Sequence, residues 1–318
     1  MPSPILHLKH AQILAAEASL AGPVREAMAS EITFARLGAI FPDLPFYTNI
    51  VPMTLGYWLE LAAENCPVAH RMHSDHPDRF AWRFLALASE DRTLTRRQRL
   101  ALIGGFFSHV ALDLDVHPLV NWCARRDVIR FGGEESHHHR LAEKYHSLFF
   151  HLDHEGRDCL GRRDFFEERS RVLEEPFFFR LRPELPVVRW AANVMSFYGE
   201  DAPSPPQVAK WLRTFRHFAF LVSLPAAERN GRRLGHEAHR ERYYDNDDFR
   251  FVDFWNRGYR RSVALINEAF EIFETNDLSP ERRQRFLAAA EISDLAYPPE
   301  RGLPPLSDRV RDFELVPA

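Results

Sequence analysis

Eleven of the sixteen histidines in this chain fall between residues 70 and 154. A buried imidazole without a partner is costly, so a fold enclosing this region must expose these side chains or converge them on something they bind. Two ordered patterns favour convergence. The first runs Gly105-Phe-Phe-Ser-His109-Val-Ala-Leu-Asp113-Leu-Asp115-Val-His117-Pro118, and the second His137-His138-His139-Arg-Leu-Ala-Glu143-Lys-Tyr-His146. His109 and Asp113 are four residues apart, as are His139 and Glu143. On a helix that spacing puts both side chains on one face, close enough to grip a single ion.

The chain has 318 residues, 45% hydrophobic and 27% charged, as in a globular protein with a substantial core. Its net charge of −4 supplies no basic field for a polyanion, and no stable nucleic-acid complex is expected. The three cysteines, Cys66, Cys123 and Cys159, form no CxxC pair. A metal here must therefore be held by imidazole and carboxylate. The start of the chain lacks the pattern of a signal peptide, and the apolar stretch 100–107 is too short to span a bilayer. A cytoplasmic protein without a transmembrane segment is expected.

Helical periodicity covers residues 8–33, 53–64, 78–90, 96–117, 135–152, 187–198, 207–225, 250–276 and 280–292. Thr95-Arg-Arg-Gln98 has the form of a capping box. Pro118 disfavours helix at His117, so the helix bearing His109 should bend or end there. Alternating strand patterns are almost absent, and an all-α multi-helix bundle follows. We expect one domain over 1–318. Its metal-site half covers about 1–155 and an elaborated helical half about 156–300, followed by an irregular tail, 301–318.

His109, Asp113 and His117 lie on one seam, and Asp115 points to the other side. A carboxylate flanked by two imidazoles can bridge two metals. The Gly104-Gly105 pair costs roughly 1 kcal/mol per glycine relative to alanine. It would let another backbone or a substrate come close. In the second pattern three consecutive histidines cannot share a face. His139 is favoured as a ligand by Glu143, His138 is one position off, and His146 is either a ligand or a support for one.

These motifs resemble the zinc-dependent phospholipase C family, whose metal site is similar to that of fungal single-strand nucleases. The resemblance rests on Phe-Ser-His109-x3-Asp113-x3-His117-Pro118 followed by His139-x3-Glu143. Earlier segments match too: Gly38-Ala-Ile-Phe-Pro42-Asp43, Met72-His73-x-x-x-Pro77-x-x-Phe80 and Pro4-Ile-Leu-His7. It covers residues 4–150 and implies an all-helical phosphodiester hydrolase with two or three zinc ions. It further implies that His73, His109 and Asp113 hold one zinc and His117, His139 and Glu143 a second. Asp113 would bridge to a third with His7, and Asp43 would orient or deprotonate the attacking water. A phosphodiester is the implied substrate, with phospholipids among the candidates. The ligand types suit zinc and also admit iron or manganese.

His70 and His76 flank His73 and are expected at the surface, with replacement of His73 as a ligand the other option for either. His236-Glu-Ala-His239 is one residue short of a His-Glu-x-x-His motif and reads as a polar face. Phe149-Phe150 and Phe177-Phe178-Phe179 read as core, with a lipid-accepting groove as the other option. Two further functional classes fit parts of the pattern. Glu143-Lys-Tyr-His146 is one Glu-x-x-His motif of a helical di-iron carboxylate protein, and a non-catalytic helical protein stabilised by metal would carry the same ligands.

Overall fold

The computed structural model describes residues 4–48, 67–155, 182–222, 237–292, 294–296, 298 and 303–306. Among these residues the protein is all-α, and the only β-type pairing is an isolated bridge between Asp245 and Arg250. The helices are α1 (Pro4–Leu14), α2 (Gly22–Ser30), α3 (Ile32–Ile40), α4 (Pro67–Ser74), α5 (Pro77–Glu90), α6 (Arg96–Phe131) and α7 (Glu135–Glu155). They continue with α8 (Pro186–Met195), α9 (Pro205–Val222), α10 (Glu237–Tyr243), α11 (Phe251–Thr275) and α12 (Pro280–Ala290). A single 3₁₀ turn lies at Leu44–Phe46, and two 3₁₀ turns separated by a kink at Gly199 span Ser196–Asp201.

α6 organises the rest. Its Thr95–Gln98 capping box is formed in both directions. The helix has 36 residues, so it is about 54 Å long. From Arg99 to Ala124 every residue is buried, so α6 is surrounded by other helices and not laid on a surface. α3, α2, α7 and α11 pack along it. By length and composition α6 could cross a membrane, but 94% of its apolar window is buried inside the protein.

Of the two outcomes expected at Pro118, a bend or an end, the end does not occur: α6 runs on to Phe131. Proline in a helix interior costs about 3 kcal/mol. The following turn buries Leu119, Val120, Trp122 and Cys123. At roughly 1.5–3 kcal/mol for each large side chain, that burial outweighs the defect.

Two other boundaries differ. The stretch 8–33 is not one helix. The backbone breaks before Gly22-Pro23, and Glu31, at φ −116° and ψ 46°, separates α2 from α3. Helices α4 and α10 are additional, as is α3 beyond residue 33. The expected helix 53–64, Phe177–Phe179, Cys66, Cys159 and His236 lie outside the described residues.

Two apolar clusters meet on α6. One gathers Leu100 to Leu114 with α2, α3, α5, α8 and α12; the other gathers Leu112 to Cys123 with Tyr145, Phe149, Phe150, Phe251 and Trp255. Phe149 and Phe150 are therefore core. Phe150 lies 3.9 Å from Trp255, centroid to centroid. His109, Asp113 and His117 sit where the two clusters adjoin.

Candidate metal centre

Five local structures deliver the polar residues to this junction. α1 brings His7, and the turn after α3 brings Asp43. α4 brings His73, α6 brings His109, Asp113 and His117, and α7 brings His139 and Glu143. α7 follows α6 through Gly132 and Gly133, both in the left-handed region (φ 73° and 88°) that glycine tolerates. This short reversal sets His139 and Glu143 beside His117.

Asp113 is the centre of the arrangement. Its Oδ1 lies 3.2 Å from His7 Nε2 and 3.9 Å from His117 Nε2. Its Oδ2 lies 3.0 Å from His109 Nε2 and 3.7 Å from His73 Nε2. His73 Nε2 is also 3.3 Å from Asp43 Oδ1. Glu143 Oε1 lies 2.9 Å from His139 Nε2 and 3.6 Å from His117 Nε2. The ring of His7 stacks on that of His109 at 3.9 Å.

Among the described residues, three groups offer ligand atoms within 4.8 Å of one another: His7–His109–Asp113, Asp43–His73–His109 and His117–His139–Glu143. The last is the set implied for a second zinc. Asp43, expected to act on water, stands among the ligand groups with His73. Ligand atoms about 2.1 Å from one tetrahedral ion lie roughly 3.4 Å apart, and the spacings above bracket that value.

The histidines are held for this task from behind. His73 Nδ1 donates to the carbonyl of Ala69 and His109 Nδ1 to that of Ala39, each at 2.7 Å. His117 Nδ1 donates to the carbonyl of Leu295. A carbonyl only accepts, so each Nδ1 carries a proton, and in the neutral ring that an ion requires each Nε2 presents a lone pair to the cluster. These three Nε2 atoms, and both oxygens of Asp43 and Asp113, are buried without a well-formed hydrogen bond. Such a concentration of unsatisfied buried acceptors fits divalent ions held between them.

Burial and mutual charge set the protonation of the ion-free centre. Burial alone would raise Asp113, but His109, His117 and His7 hold it well below the usual carboxylate range. Burial likewise opposes the lowering of Asp43, which His109 and His73 bring about. Glu143 is also held well below its usual range, against the effect of burial, by positive groups that include His139 and His117. Burial would lower His109, yet Asp113 and Asp43 raise it to about 9. His139 is lowered to about 4, chiefly by burial. It is also the most open ligand candidate, with 18% of its side chain exposed.

Three further candidates stand outside the groups. Asp115 binds Arg261 at 2.7 Å, with Arg257 at 3.9 Å, and so pairs with α11 on the opposite side of α6. His138 Nε2 bonds the carbonyl of Gly132 at 2.7 Å and fastens the α6–α7 turn. His146 is fully buried against Phe251, and burial lowers it to about 3. Of the Glu-x-x-His pair, Glu143 belongs to one of the three groups and His146 to none. His70 and His76 are both exposed, as expected, His76 at the start of α5 and His70 edge-on to Phe46.

No known protein family, characterised protein or solved structure matches this chain. The geometry of the site is therefore the ground for any functional reading. It includes parts that side-chain patterns do not announce. The carbonyls of Ala39, Ala69 and Leu295 carry no sequence signature.

Proposed function

We propose that this protein is a metal-dependent phosphodiester hydrolase of the zinc-dependent phospholipase C type. One observation carries the reading: three imidazoles, each fixed through Nδ1 by a main-chain carbonyl, turn Nε2 toward carboxylates in a buried cluster.

Bound divalent ions would neutralise the oxygens of a phosphodiester, acidify a water molecule and stabilise the leaving alkoxide. Zinc suits the imidazole and carboxylate donors, which also admit iron or manganese. Asp113 belongs to one group and faces the other two through its two oxygens. It sets the spacing between sites. His117, His139 and Glu143 form a second holding point one turn along α6 and across to α7. Asp43, on a short turn bracketed by Pro42 and Pro45, holds a carboxylate against the His73 side of the cluster. There it can help hold an ion, and it can accept the proton of an attacking water at Oδ. The surrounding apolar clusters exclude bulk water and strengthen these electrostatic effects.

The test is metal analysis joined to a panel of phosphodiesters, phospholipids included. Two or three zinc ions per chain with zinc-dependent turnover support the proposal. Bound zinc without turnover on any member of the panel supports instead a helical protein that uses metal for stability. Less than one equivalent of divalent metal in protein prepared without chelators would remove the basis for both.

A further inference from the structure

After α12 the described chain has no regular structure, yet its main-chain groups are bound closely to the ligand helices. Leu295 N–H donates to the carbonyl of His73 at 2.7 Å. That carbonyl lies in the last turn of α4, where no helical partner is available. The carbonyl of the same residue, Leu295, accepts from Nδ1 of His117. One buried residue thus joins two candidate ligands from two helices and two different ion groups.

The neighbouring contacts follow the same lines. The seam His109–Asp113–His117 continues to Asn121, whose Nδ2 donates to the carbonyl of Ala296 at 2.7 Å. Trp122 Nε1 donates to the carbonyl of Pro304 at 2.9 Å. Beside His73, Ser74 Oγ donates to the Asp294 carboxylate at 3.0 Å. A tail that merely covered apolar surface would have no reason to spend its carbonyls on the seam bearing the ligands. A core histidine satisfied by any nearby carbonyl would explain the His117 bond but not the tie to His73.

We propose that the chain after α12 is a positioning element of the metal centre, in which the main chain of Leu295 orients His117 and ties it to the helix of His73. The proposal rests on the metal-binding part of the reading above. The coupling works in both directions. The Leu295 carbonyl fixes the tautomer and direction of His117 and makes its Nε2 a better donor to an ion. An ion on Nε2 in turn makes Nδ1–H a stronger hydrogen-bond donor to Leu295. By linkage, whatever binding gains from the ordered segment, the segment gains from binding.

Hydrogen exchange on the full chain, chelated and then reloaded with zinc alone, tests this. Peptides covering 294–296 and 303–306 should exchange roughly ten-fold more slowly with zinc, and α5, which carries no ligand, should change little. Equal rates in the two forms, with bound zinc confirmed by mass spectrometry, would overturn the proposal. Failure to bind zinc would instead overturn the metal-centre reading. Asn121→Ala and Trp122→Phe loosen the segment without touching a ligand. Each should weaken one step of zinc binding about ten-fold, the scale for supports behind a ligand, and leave the other steps unchanged. Equal weakening of every step, or lower thermal stability with unchanged zinc affinity, would show a merely structural tail. Trp122→Phe supplies the result should Asn121→Ala fail to fold.

Discussion

Nδ1 of His109 donates to the main-chain carbonyl of Ala39 at 2.7 Å, although 70 residues separate the two. The bond exists because α3 and α6 cross at glycines. A Cβ on Gly105 would run into the carbonyl of Ala35 and lie 2.8 Å from Ala39 N. A Cβ on Gly38 would lie 2.8 Å from Phe106 N. Of the glycine pair expected to admit another backbone or a substrate, Gly105 admits a backbone, the one that orients a candidate ligand, whereas Gly104 faces the Met28 side chain.

Gly105→Ala should therefore push α3 away, release His109 and lower zinc affinity by roughly 10–100-fold, the scale for loss of a ligand's support. Gly104→Ala meets only the flexible side chain of Met28 and should keep most of its zinc. Chelator competition on both variants is the measurement. Similar zinc affinity in the two would mean that the crossing does not govern His109.

Asp113 and Asp115 offer a second comparison. Asp113→Asn should lose at least one equivalent of metal because Asp113 faces all three groups. Asp115→Asn should keep its metal and lose only thermal stability, through Arg261. Equal metal loss in both variants would contradict the facing of α6.

Asp43→Asn should lower phosphodiesterase turnover by roughly 10²-fold or more, the range for loss of a general base starting at about that value. Its metal content then assigns the role. Retained zinc with lost turnover marks a group acting on water, and loss of an ion together with turnover marks a ligand. Full activity in a folded variant would exclude both.

Loading should release protons near pH 7.5. His109 is raised to about 9 in the ion-free protein and is therefore protonated at that pH. An ion requires the neutral imidazole. Calorimetric titration with zinc in buffers of differing ionisation enthalpy gives the proton count, and a count of zero would show that His109 does not change protonation on binding.

The metal-free protein should lose stability as pH falls from about 6.5. Burial lowers His146 to about 3 from 6.5, its ordinary value, which applies to the unfolded chain. Between those limits the unfolded state binds more protons, so stability rises with pH and declines on acidification, by up to about 1.4 kcal/mol per pH unit for each such histidine. His146→Phe should flatten the slope of melting temperature between pH 7 and pH 5. A slope identical to that of the parent protein would place His146 outside the acid response.

The helix face carrying His109, Asp113 and His117 was legible in the amino-acid order, as was its partner pair His139 and Glu143. A four-residue spacing is a local property of any helix and needs no knowledge of what lies across from it. The all-α architecture and the capping box at Thr95 were legible for the same reason. Whether α6 would end at Pro118 was not, because a local defect was outweighed by burial of Leu119, Val120, Trp122 and Cys123 against distant helices. Nor was the grouping of Asp43 with His73 and His109, which depends on where three separate elements meet. Least legible were the carbonyls of Ala39, Ala69 and Leu295. Every residue has such an oxygen, so only packing selects the three that face a ligand.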